Sequence, residues 1–175
     1  MAYYDDIYEV ASENFGLITT AQAHEMGISK DELGKLHLRG KLERIGHGVY
    51  RIKHHVPSPL DVYADAVTLV GPEAYVLGES VLAMHNLASV NPDTIYVGTT
   101  KRVRKKLPIH IKEIHRQIGD KTTTYDGIRC MTAAEAIRYC VGKIMPERLA
   151  EALRDGVSEG LVTRREQETI SKELK

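Results

Sequence analysis

Apolar positions recur along this chain with two different periods, and the changes of period mark out its elements. Over residues 4–14, Ile7, Val10 and Ala11 fall at helical spacing, and Gly16 follows as a stop. Thr19 with Gln22 has the spacing of a capping box, which predicts a second helix reaching about Met26. Gly27 supplies a turn. Ser29 with Glu32 repeats the capping pattern and opens a third helix, closed near Arg39 by Gly40. Leu33 and Leu36 point inward with Ile28, so Lys30, Asp31, Gly34, Lys35 and Leu38 take the opposite face. Residues 42–45 and 49–52 then read as two short strands around Gly46, His47 and Gly48.

Two helices separated by three or four residues and followed by a tight hairpin form the pattern of a winged helix-turn-helix. Such a module presents its second helix to duplex DNA, with the hairpin as a wing. Phosphates are met by Lys, Arg and the N–H groups at a helix N-terminus. Ser29, Lys30, Lys35, Arg39, Lys41, Arg44, His47 and Arg51 are the candidate DNA-binding residues. Ser29 and Lys30 lie at the start of the third helix, Lys35 and Arg39 on its outer face, and Arg44, His47 and Arg51 in the wing. That helix carries no Asn or Gln, so modest base specificity, helped by DNA shape, is expected. The same fold used purely for protein contacts is the competing reading.

Charge sharpens this picture. The net charge is zero, yet the charges come in blocks. Residues 1–28 and 56–100 each hold five acids and no Lys or Arg. Residues 29–55 hold seven bases against three acids, and residues 101–117 seven against one. Two basic islands in a neutral chain imply two local anion-facing surfaces. The second island, Lys101, Arg102, Arg104, Lys105 and Lys106, is a candidate secondary contact for DNA or for a partner, or else a solvated loop.

The break at His54–Ser58, HHVPS, predicts a boundary, with a winged-helix domain over 1–55 and a second domain over 58–175. In the second, Ser58, Pro59 and Asp61 start a helix with an apolar stripe of Leu60, Tyr63, Ala64 and Val67. Another helix covers 80–87. Strands are expected over 94–97, 109–114 and 125–131, the last with a turn at Asp126–Gly127. Thr132 caps a helix with a stripe of Ala133, Ala136, Ile137, Cys140 and Val141. Pro146 opens the next helix, and Thr163 with Glu166 caps the last. The fold class is α+β: an N-terminal winged helix-turn-helix followed by a mixed domain with a small sheet.

Catalytic patterns are sparse. There is no GxSxG, Walker loop or HExxH, and Pro92–Asp93 is not followed by the acid-x-Lys of a nuclease motif. His85 reads as a packed histidine. Neither His54–His55 nor the His110 and His115 pair gathers the Cys or carboxylates of a metal site, so neither metal nor cofactor is expected. Cys130 and Cys140 read as reduced thiols in the core. No apolar run approaches the roughly 20 residues of a membrane helix, and MAYYDDIYEV is unlike a signal peptide, so a cytoplasmic protein that is not an enzyme is expected.

Three stretches resemble the AbiEi family of bacterial antitoxins, described as regulators of viral (phage) defence systems. They are ITTAQAHEMGIS, RGKLERIGHGVYRI and YVLGESVLAMHNL. Gly48-Val49-Tyr50-Arg51-Ile52 is similar to the family's GVYRL motif, and residues 80–87 to its SALxxHGL, with Asn86 where glycine is common. CMTAAEAIRYCV resembles the TSPERTLxDxL block, with Thr132 and Glu135 retained but Ala134 in place of the usual Pro-Glu pattern. The resemblance implies an antitoxin of a type IV toxin–antitoxin operon that represses its own promoter at inverted repeats. It also implies neutralisation of a nucleotidyltransferase-like toxin without a stable complex, a role in which the second domain is implicated. A stand-alone regulator with no toxin partner is the alternative.

Overall fold

The computed structural model describes residues 2–117 and 119–175. They divide into two compact units, Met1–Pro72 with Arg104–Pro108, and Glu73–Val103 with Ile109–Lys175. The first unit runs α1 (Ala2–Ser12), β1 (Leu17–Thr19), α2 (Thr20–Glu25), α3 (Lys30–Leu38), β2 (Leu42–Gly46), β3 (Val49–Ile52) and α4 (Asp61–Val70).

Its three strands are antiparallel in the order β1-β3-β2. β1 was not evident in the sequence. Three residues are too few to display alternation, and its partner lies far along the chain, with Leu17 opposite Arg51 and Thr19 opposite Val49. The capping box is formed: the Thr19 side chain accepts from the Gln22 amide, and the Gln22 side chain accepts from that of Thr19. One core gathers Ile7 and Ala11 of α1, Ile18, Ala23, Ile28, Leu33 and Leu36 of α3, and Leu42, Tyr50 and Ile52 of the hairpin. Removing several methylenes from one of these sites costs about 2–5 kcal/mol, so the core fixes the angle at which α3 leaves the sheet.

The first compact unit runs past the expected boundary at 55–58 and includes α4. Three local devices hold it there. His55 Nε2 meets the Asp61 carboxylate at 2.9 Å, and the Ser58 amide donates to the same carboxylate. Arg51 pairs with Asp65. Gly46 leaves room for Leu69, whose methyl occupies the space a Cβ would need. The buried face of α4 is accordingly Ala64, Ala66, Leu69 and Val70; of the expected stripe only Ala64 is fully buried.

The second unit contains β4 (Tyr75–Val76), α5 (Glu79–Met84), β5 (Ile95–Thr99), β6 (Ile111–His115), β7 (Thr122–Tyr125), β8 (Ile128–Met131), α6 (Ala133–Tyr139), α7 (Pro146–Ser158) and α8 (Arg164–Glu173). Its sheet has the order β6-β5-β4-β8-β7, parallel at β5–β6 and β4–β8 and antiparallel elsewhere. The expected single strand over 125–131 is a hairpin. Asp126 and Gly127 both take positive φ, the geometry of a two-residue turn that matches strand twist. Ser80 is fully buried; its Oγ accepts from the Tyr96 amide at 2.8 Å and so pins α5 to β5.

His85 is packed, as expected. Its ring meets that of Tyr125 edge-on at 4.5 Å, and burial pulls its pKa down. Val141, expected in the α6 stripe, is exposed because the helix ends at Tyr139.

Cys130 and Cys140 are buried and free. Burial raises the Cys130 thiol to about 11 and that of Cys140 to about 12, the latter helped by the nearby Glu79 carboxylate. Both thiols bind a proton more tightly when folded, so their contribution to stability is complete below pH 9 and is lost as pH rises toward those values. Thermal melting is therefore expected to fall between pH 9 and 11, and alkylation at pH 8 to wait on unfolding; rapid alkylation of the native protein would refute this.

Candidate nucleic-acid interface

The third helix of the first unit, α3, presents its polar face outward because Leu33 and Leu36 anchor the other. Ser29 caps it, its side chain accepting from the Glu32 amide at 3.2 Å. Ser29, Lys30, Asp31, Lys35, Leu38 and Arg39 are exposed. At Gly34 nothing lies within 4 Å of where a Cβ would point, so the helix surface is open there. His37 Nδ1 donates to the Leu42 carbonyl at 3.0 Å, which ties the end of α3 to the start of the wing.

The wing is short. β2 carries an extra residue at Ile45: Arg44 lies opposite Tyr50, whereas Gly46 lies opposite Val49. A bulge of this kind bends the strand and re-aims its side chains. Gly48 has φ +70°, and its carbonyl accepts from the Thr20 amide at 2.9 Å. A Cβ there would stand 3.0 Å from Thr20 Oγ1. The tip is therefore held at the start of α2, with His47 exposed on it and Arg44 exposed along β2.

Two of the residues expected at the interface are differently engaged. Arg51 is only partly exposed, and its guanidinium pairs with both oxygens of Asp65 while Nε donates to the Phe15 carbonyl at 3.2 Å. Residue 51 thus locks α4 onto the wing strand, whereas Arg44 remains exposed with its Nε donating to the Gly46 carbonyl at 3.4 Å. Lys41 is exposed, but its ammonium sits 5.4 Å from the centre of the Tyr4 ring, beside α1. The remaining groups, Ser29, Lys30, Lys35 and Arg39 on α3 with Arg44 and His47 on the wing, share one small unit.

The second basic island is divided. Arg104, Lys105 and Lys106 belong to the first unit, Lys101 and Arg102 to the second. Lys101 pairs with Glu73 at 3.1 Å, an exposed contact. Lys105 is half-buried, which lowers its pKa.

One cluster was missed by sequence reasoning. In the second unit Arg116 makes two hydrogen bonds to Asp120, at 2.9 and 2.7 Å, and Tyr75 donates its hydroxyl to the same carboxylate. Arg116 holds the Asp120 carboxyl below its usual range. The guanidinium also lies over the Tyr139 ring, 5.0 Å from its centre. The residues come from β4, α6 and the chain following β6, and nothing in their spacing announces them. The cluster closes one side of a cavity of about 320 Å3 that also includes Glu73, Thr100 and Arg129.

Residues 5–53 match the family model described as "Transcriptional regulator, AbiEi antitoxin". Over that stretch the chain is similar to the AbiEi antitoxin regulators. The matched span begins within α1 and ends just past β3, so it includes α3 and the whole wing. The AbiEi family is one of regulators rather than of enzymes. The matched span does not reach residues 80–87 or 130–141. No curated protein matches the chain. The crystal structure of the RV2827C protein from Mycobacterium tuberculosis is similar at 11% identity, covering 88% of this chain and 72% of that one, with a TM-score of 0.41. That likeness is too distant to inform function. Among the described residues no helix is long and apolar enough to cross a membrane.

Proposed function

We propose that this chain is the antitoxin and autorepressor of a type IV toxin–antitoxin operon, acting in the cytoplasm. The AbiEi-type domain binds operator DNA, in the form of inverted repeats, through α3 and the wing. The second unit supports neutralisation of a nucleotidyltransferase-like toxin without forming a stable complex with it. The observation that supports this best is the matched domain itself, with an outward face of Ser29, Lys30, Lys35 and Arg39 beside Arg44 and His47. Lys and Arg side chains on such a face meet phosphates and guanine edges, and a half-exposed glycine lets the backbone approach.

Two assays test the proposal together. A reporter driven by the chain's own promoter should be repressed by the protein in cells. Co-expression with the product of the neighbouring gene should relieve that product's toxicity. Repression without relief would favour a stand-alone regulator; neither effect would leave a protein-interaction module.

The basic strap adds a separable expectation. Arg104, Lys105 and Lys106 belong to the same unit as α3. A strap of flexible cations positions DNA and reads no sequence. Replacing Arg102, Arg104 and Lys105 with Ala should weaken specific and random duplexes alike and flatten the salt dependence, with discrimination intact. Unchanged DNA affinity with lost toxin relief would assign the strap to neutralisation.

A further inference from the structure

Leu38 is 86% exposed, and among the described residues it is the one large apolar side chain on α3 that faces solvent to this degree. It stands three residues after Lys35 and seven after Asp31, so the three line one stripe of the helix. Gly34, one turn earlier on the neighbouring row, leaves the surface open. Arg39 follows directly and Lys30 lies at the start of the same helix. An exposed apolar side chain between Lys35 and Arg39, on the third helix of a winged-helix unit, has a specific chemical complement. The major-groove edge of DNA carries hydrogen-bonding groups and one apolar group, the C5 methyl of thymine. With no Asn or Gln on α3 to take adenine, the methyl is the feature through which this helix can recognise an A·T pair.

We infer that Leu38 is a specificity-determining residue that packs on a thymine methyl in the major groove, next to the base edge met by Lys35. The inference rests on the DNA-binding reading above and adds to it which base is selected. Lys35 contributes charge and a donor; Leu38 contributes discrimination without charge.

The test uses the chain's own promoter fragment, amplified with either thymidine or deoxyuridine triphosphate, so that the two duplexes differ by the methyl groups. Binding is measured by fluorescence anisotropy at fixed salt. Wild type should bind the uracil duplex about fourfold more weakly for each methyl it buries, the equivalent of about 0.8 kcal/mol. Leu38→Ala should bind both duplexes alike, with a salt slope unchanged from wild type because no cation is lost. Leu38→Met, apolar and similar in volume, should keep the preference for thymine. Equal binding of both duplexes by wild type would overturn the role of Leu38 and leave the DNA-binding reading standing. A thymine preference that survives in Leu38→Ala would also overturn it, as would a change of oligomeric state in light scattering with the preference kept. Failure of wild type to bind either duplex at low salt would remove the DNA-binding reading and this inference with it.

Discussion

Lys35→Ala combined with Arg44→Ala is expected to lower affinity for the promoter fragment roughly ten- to hundredfold, at about 1–3 kcal/mol for a well-placed base contact and 1.4 kcal/mol per tenfold. Both side chains are exposed, one on α3 and one on the wing. Neither fills the core, so thermal stability should move within about 0.5 kcal/mol. The salt slope should fall by roughly one for each phosphate contact removed. In cells the variant should lose repression of the reporter while still relieving toxicity, because the two roles are assigned to different units. Loss of relief at an unchanged protein level would show that DNA binding and neutralisation are one activity.

Arg51→Ala should act on stability instead. Its side chain is 14% exposed and that of Asp65 19%, so the pair is neither a surface bridge nor fully buried. Removing the guanidinium leaves the Asp65 carboxylate and the Phe15 carbonyl without their donors. The cost is about 1–3 kcal/mol, below the figure for a wholly buried pair because water still screens one side. In a unit of this size that lowers Tm by roughly 4–8 °C per kcal/mol. Asp65→Ala should cost a similar amount, and the double variant little more than either single one, since the two side chains act as a pair. DNA affinity of the variant, measured well below its Tm, should keep the wild-type salt slope. A variant that melts like wild type but loses one unit of slope would return Arg51 to the DNA surface.

The contrast between these variants marks what was readable in the sequence. Local chemistry was legible: the capping residues Thr19 with Gln22 and Thr163 with Glu166, the turn at Asp126–Gly127, and the outward face of α3 all depend on neighbours within four residues. Strands of two or three residues were not. β1 and β4 are too short for a period, and their partners are distant: Leu17 pairs with Arg51, and Val76 with both Val97 and Cys130. The grouping of α4 with the first unit was hidden for a related reason. HHVPS looks like a linker, yet His55 is fastened by Asp61, and α4 is held by a glycine and an ion pair whose meaning appears only in three dimensions. Arg51 illustrates the limit for site residues. Its place in a GVYRI wing suggests a DNA contact, and the acid that engages it lies fourteen residues later on another element.

The most direct test of the account is a salt titration of the purified protein on its own promoter fragment, read by fluorescence anisotropy. With about four to six phosphates neutralised by α3 and the wing, the logarithm of the affinity should fall against the logarithm of salt concentration with a slope of roughly −4 to −5. Absence of binding at low salt, or a slope near zero, would contradict the claim that this winged helix grips duplex DNA.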